Sequence, residues 1–124
     1  MLGLGAVGKT SIVQTIKRRK THKAEQATLG YYKEVIETRR EQIVVWDTPS
    51  ISMLAPIWEH WKFVVDGVIF VLDSTDQQSL EDISDYLFKV KEVELPPDVP
   101  LLVFANKADL PEALSHQELI DYLD

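Results

Sequence analysis

The stretch Gly3-Leu4-Gly5-Ala6-Val7-Gly8-Lys9-Thr10 leaves this chain few folds to choose from. Its spacing, G-x-x-x-x-G-K-[ST], is that of a loop that wraps phosphate: glycines let the backbone curl until successive N–H groups converge, and the lysine adds a cation. Such a loop works between a buried strand that aims it and a helix whose positive N-terminal end faces the anion. The candidate phosphate-binding residues are therefore Gly3, Gly5, Ala6, Val7, Gly8, Lys9, Thr10 and Ser11, with the Thr10 hydroxyl suited to ligating Mg²⁺. Only Met1 and Leu2 precede Gly3, so the expected leading strand is absent from this sequence.

Beyond the loop, helix and strand signals alternate. Thr10 to about Lys20 spaces Ile12, Val13 and Ile16 on one helical face and ends in the basic run KRRK, which suits a helix C-terminus. YYKEVIE and QIVVW are β-rich runs joined by polar TRRE, which predicts a hairpin with Arg39 and Arg40 near its turn as solubilising residues. GVIFVLD and PLLVFAN are continuous apolar runs of the kind buried on both faces of a parallel sheet. Between them Leu80, Ile83, Leu87 and Val90 recur at helical spacing until PPDVP stops the helix, and a last helix is expected from Ser115. The sum is an α/β doubly wound sheet in a single domain over residues 1–124, mostly parallel with one antiparallel hairpin strand.

Composition narrows the function classes. With 20 Asp and Glu against 13 Lys and Arg, the net charge of −7 argues against nucleic acid or anionic lipid as a partner of the whole surface. The basic cluster Lys17 to Lys23 reads as a solvated face. There is no cysteine, hence no disulfide framework and no thiolate metal site, and the three histidines have no metal-ligand spacing. No apolar run approaches the roughly 20 residues of a membrane span, and Leu2 stands where myristoylation needs glycine, so no lipid anchor is encoded. The expectation is a soluble, cytoplasmic protein, peripheral to membranes only through its partners.

The base is chosen by Asn106-Lys107-Ala108-Asp109, directly after the strand-like LLVFA. A carboxylate at Asp109 accepts from the N1–H and exocyclic amine of guanine, whereas adenine presents an acceptor at N1 and would leave the charge unpaired. Sites of this kind reject the wrong partner by about 10⁴-fold or more. Asn106, Lys107 and Asp109 are the guanine-binding candidates, and an ATP-using kinase is disfavoured.

With these motifs in order, the chain resembles the ADP-ribosylation-factor (Arf) and Arf-like branch of the Ras-type small GTPases. MLGLGAVGKTS is similar to that family's phosphate loop, ATLGYYKE to its first switch, VVWDTPSISMLAPIWEHW to its second, GVIFVLDSTD to a core strand and FANKADLPEAL to its guanine motif. The resemblance implies a Ras-like fold, GTP/GDP and Mg²⁺ as ligands, and protein effectors or regulators as partners. It also implies that Thr28 senses Mg²⁺ and the γ-phosphate, that Asp47 stands indirectly behind the metal, and that Tyr31, Trp46 and Trp61 dock effectors. Measured against the family, the first central strand, between QIVVW and GVIFVLD, is absent, as are the strand and helix that would come after Asp124. This is the pattern of a chain shortened at both ends.

One departure bears on catalysis. Where the family reads W-D-x-G-G-Q, this chain reads W-D-T-P-S-I, so the glutamine that positions attacking water is Ile51 and the two glycines are Pro49 and Ser50. Proline has no N–H and a fixed φ, and serine lacks the freedom of glycine. No catalytic residue is assigned. Two functions are open: a guanine-nucleotide-binding protein with weak or absent GTP hydrolysis, or a pseudo-GTPase whose binding is impaired and which serves as an interaction module.

Overall fold

The computed structural model describes residues 1–17, 22–26, 32–48 and 64–123. Helix α1, Lys9–Lys17, comes directly after the glycine loop, and its first intrahelical bond runs from the Ile12 N–H to the Gly8 carbonyl at 3.0 Å. Strands β1 (His22–Gln26), β2 (Tyr32–Glu37) and β3 (Gln42–Asp47) form an antiparallel sheet in that order. The predicted hairpin is β2–β3, with Val35 opposite Val44 and Ile36 opposite Ile43. Thr38 closes its turn: the Glu41 N–H donates to the Thr38 hydroxyl, and the Thr38 N–H donates to the Glu41 carbonyl. Arg39 and Arg40 are exposed there, as expected of residues that keep a turn in water.

β1 has no counterpart in the sequence reading, which treats residues 17–23 as a solvated basic face. Two of those residues, His22 and Lys23, begin a strand paired with Ile36 and Val35. Lys17 departs from that reading too. It is buried at the end of α1, where its ammonium lies 2.8 Å from Glu34 of β2 and each side chain is 9% exposed. Two charges so removed from water persist only as a pair, so the contact fixes α1 against the sheet.

The parallel part consists of β4, Val68–Asp73, and β5, Leu101–Asn106, paired from Val68 with Leu101 to Asp73 with Asn106. Helix α2, Leu80–Phe88, crosses between them and continues as a wider π-helical segment, Lys89–Glu94. Its predicted apolar stripe of Leu80, Ile83, Leu87 and Val90 is buried in full against Leu2, Phe70 and Leu72, and Leu119 of helix α3, His116–Leu123, completes this core. The start of α3 is a reciprocal cap. Ser115 N–H and hydroxyl both donate to the Glu118 carboxylate, which these bonds hold below the usual range, while the Glu118 N–H donates back to the Ser115 hydroxyl.

Met1 and Leu2 lie between β3 and β4. The Leu2 N–H donates to Ile69 and its carbonyl accepts from Val71, both at 2.8 Å, a parallel bridge to Phe70. On the other side the Met1 amine donates to the Trp46 carbonyl at 2.6 Å and its carbonyl accepts from the Thr48 hydroxyl at 2.7 Å. Two residues thus tie the antiparallel and parallel sheets together at the end where the loop begins. Farther from the loop the strands enclose a groove of about 710 Å³, lined among others by Ile43, Val44, Val68 and Ile69.

Two expectations of burial are corrected. Ile16 is 40% exposed, and α1 packs through Val13 with Ile12 half-buried, because Lys17 and Glu34 occupy the next turn of the interface. Neither apolar strand is buried on both faces throughout: Ile69 of β4 is 37% exposed, and Leu102, Val103 and Phe104 of β5 are 55%, 40% and 41% exposed, since among the described residues only β4 pairs with β5.

Candidate functional site

The site lies at the C-terminal ends of β3, β4 and β5, where loops leaving the strands meet the N-terminus of α1. Gly3 is fixed by crowding. Its φ is +145°, and a Cβ there would stand 2.2 Å from the Val71 carbonyl oxygen, so no side chain fits between the loop and β4. Ala6 is next at φ 59° and then Gly8 at φ +93°, and this run of left-handed residues turns the loop back to the helix. A Cβ on Gly8 would come within 2.4 Å of the Asn106 Nδ2. At Gly5 a Cβ would meet nothing, so that glycine is not required by packing in this loop.

Lys9 is buried at the first position of α1, with its Nζ donating to the Leu4 carbonyl at 2.7 Å and the Gly3 carbonyl at 3.2 Å. Burial lowers its pKa, and the nearby Asp47 carboxylate partly opposes that shift. A lysine held in this way is a cation stretched across the loop and available to an anion that outbids two carbonyls. Thr10 and Ser11 are exposed at the helix start.

Thr10 and Asp47 meet directly. The Thr10 hydroxyl donates to Asp47 Oδ2 at 2.6 Å, although the two residues lie 37 apart in sequence. Asp47 is buried, and its Oδ1 has no hydrogen-bond partner among the described residues. A buried carboxylate oxygen left without a donor, next to a hydroxyl, is an electron-rich pair that a hard cation satisfies. The residues present fit Mg²⁺.

Asn106 and Lys107 close the site from the β5 side. The Asn106 Nδ2 donates to the Val7 carbonyl at 2.8 Å, which joins the predicted base motif to the predicted phosphate loop. Lys107 has φ 59°, and its ammonium pairs with Asp73 at the end of β4. Asp109 lies exposed in the turn closed by the Leu110 N–H and the Lys107 carbonyl, and its carboxylate meets no described donor. The structure therefore brings together Gly3 to Thr10, Asp47, Asn106 and Lys107. Trp46 is half-buried beside them, with the Lys33 ammonium 5.5 Å from its ring centre. Thr28, Tyr31, Pro49, Ser50, Ile51 and Trp61 lie outside the described residues.

Asp73 is the residue that sequence reasoning passed over. The only signal was its place at the end of GVIFVLD, which a parallel register with LLVFAN puts level with Asn106.

A glycine loop between strand residues and a helix, a threonine against a buried aspartate, and an asparagine tying a second strand to that loop define the Ras-like P-loop class of folds. Within that class, the model of the ADP-ribosylation factor family matches residues 1–124, and the chain belongs to that family. It is also similar to a solved structure of the Arl6 BBS3 small GTPase from Trypanosoma brucei with bound nucleotide analogue GppNp. The identity is 34% and the TM-score 0.75, over 100% of this chain and 74% of that one.

Proposed function

We propose that this chain binds the guanine nucleotides GTP and GDP together with Mg²⁺, and that it hydrolyses GTP slowly or not at all. The observation that carries the reading is the Asn106 to Val7 hydrogen bond, because it makes base recognition and phosphate binding parts of one rigid unit. The amides of Gly3 to Lys9 and the Lys9 ammonium would take the β- and γ-phosphates, and Thr10, with Asp47 behind it, would hold the cation. Mg²⁺ supplies charge neutralisation of the phosphates when bound. Asp109, exposed and without a described donor, is free to accept from the guanine edge. Similarity to a small GTPase solved with GppNp supports the nucleotide-binding part of this reading.

Slow turnover is expected from W-D-T-P-S-I, because neither Ile51 nor Pro49 offers a group that orients water. The same replacement favours a second reading, an interaction module that presents Tyr31, Trp46 and Trp61 to a protein effector or regulator. Titration of the purified chain with labelled GTP, GDP and ATP, with and without Mg²⁺, separates the two. Guanine-selective binding strengthened by Mg²⁺ supports the first reading. Indifference to all three nucleotides overturns it.

A further inference from the structure

We infer that Asp73 is a positioning residue for the nucleotide base, acting by holding the Lys107 side chain stretched along one wall of the guanine site. The inference rests on the guanine reading above, but its geometry stands by itself. Asp73 is the last residue of β4 and pairs in register with Asn106, the last residue of β5. One carboxylate oxygen, Oδ1, accepts from the Thr75 N–H at 3.0 Å and the Thr75 hydroxyl at 2.7 Å. The other, Oδ2, accepts from the Lys107 ammonium. Both oxygens are therefore engaged, one fixing the carboxylate to its own turn and the other fixing Lys107 to the carboxylate.

The strand ends are rigid beneath this pair. The Ser74 N–H donates to the Asn106 carbonyl at 2.9 Å, and the Ser74 carbonyl accepts from Leu114 at 2.9 Å. Lys107 itself is in the left-handed region at φ 59°, which a lysine adopts at a cost that surrounding contacts must offset. With backbone and ammonium both held, the butyl stem has few rotamers left. An extended methylene stem is an apolar surface, of the kind that the flat face of a purine covers.

The charge balance agrees. Burial pushes the Asp73 carboxyl upward, yet the bonds from Lys107 and Thr75 outweigh it and hold the group below its ordinary value. Its side chain is 13% exposed against 36% for Lys107, so the carboxylate is the inner, fixed partner and the lysine the outer, positioned one.

The test uses Asp73→Asn, Lys107→Met and the double variant of the 124-residue chain, with GDP and inorganic tripolyphosphate as the two ligands. Asp73→Asn is expected to weaken GDP about tenfold, the size of a lost charge-assisted bond, and to leave tripolyphosphate unchanged because no base is present. In the Lys107→Met background the same substitution should add little further. Equal weakening of both ligands would make Asp73 a merely structural residue and overturn the inference, as would unchanged GDP affinity. The titration of the Asp73 carboxyl by ¹³C NMR needs no nucleotide: it should move upward in Lys107→Met, and an unmoved titration also overturns the inference. A chain that binds neither ligand sinks the guanine reading instead, and the NMR titration then decides the pair on its own.

Discussion

Asn106 and Val7 are 99 residues apart in sequence, and the carboxamide of one donates to the carbonyl of the other at 2.8 Å. That single bond spans the junction between the end of β5 and the glycine loop. Around it Gly8 leaves no room for a side chain, so loop and strand end meet at closest approach.

Breaking this junction should be measurable without a ligand. Asn106→Ala is expected to cost about 1 kcal/mol of stability, the net value of a part-buried hydrogen bond. Gly8→Ala should cost more, because its Cβ would stand 2.4 Å from Asn106 Nδ2 and its φ of +93° is strained for any side chain. Urea midpoints of the two variants against the parent give the comparison. A Gly8→Ala chain as stable as the parent would mean that the loop does not close on Asn106.

Base selectivity should reside in Asp109. Replacing it with asparagine exchanges an acceptor for a donor at the purine edge, which suits the extra carbonyl of xanthine. Competition between GDP and xanthosine diphosphate is expected to reverse in Asp109→Asn. If preference is unchanged, Asp109 does not read the base.

GTP turnover by the unaltered chain should not exceed the rate of a Ras-type protein without its activator, on the order of 10⁻⁴ per second. Ile51→Gln alone should raise it little while Pro49 and Ser50 remain. Phosphate release in single-turnover assays measures both, and fast hydrolysis by the parent would require another residue to position water.

The amine of Met1 sets a pH dependence in the 124-residue chain. Burial lowers its pKa from 8.0 to about 6; Asp47 opposes the shift and Lys9 adds to it. Between those values the unfolded chain binds the proton and the folded chain does not, so stability rises with pH across this window. The gain from pH 6 to pH 8 is on the order of 2 kcal/mol. Acetylating the amine should flatten this slope, and an equal slope in the acetylated chain would assign it to other groups.

Extending the chain before Met1 by about five or six strand-forming residues, a typical strand length, should fill the groove between β3 and β4. Val44 and Ile69, now 42% and 37% exposed, would be covered, and Tm should rise by roughly 5 °C or more. GDP should bind more tightly, and this gain should vanish with Lys9→Ala. Unchanged melting would show that the extension does not enter the sheet.

Much of this molecule is legible along the chain because the relevant physics is local. The stripe Leu80, Ile83, Leu87 and Val90 is buried as its period requires, since helix geometry alone puts those residues on one face. The β2–β3 hairpin and the glycine loop are similarly short-range, set by turn chemistry and by backbone conformations that only small residues tolerate. The sequence also carries the loop and the NKAD motif as separate units.

The joining of those units was decided in three dimensions. Nothing in the run Lys17 to Lys23 announces that Lys17 is buried on Glu34, or that His22 and Lys23 open a strand, because a basic residue's burial depends on a partner elsewhere in the chain. The exposure of Ile16 and Phe104 likewise turns on which neighbours are present, not on their own hydrophobicity. Thr10 on Asp47, Asn106 on Val7 and Lys107 on Asp73 are contacts between groups distant in sequence, which the tertiary structure brings within bonding distance, in the last case through the parallel register of β4 and β5. Sequence by itself determined which chemical groups suited to a phosphate and a base this protein carries; the tertiary structure decided where they meet, because a hydrogen bond's strength depends on distance and angle and neither is written in residue order.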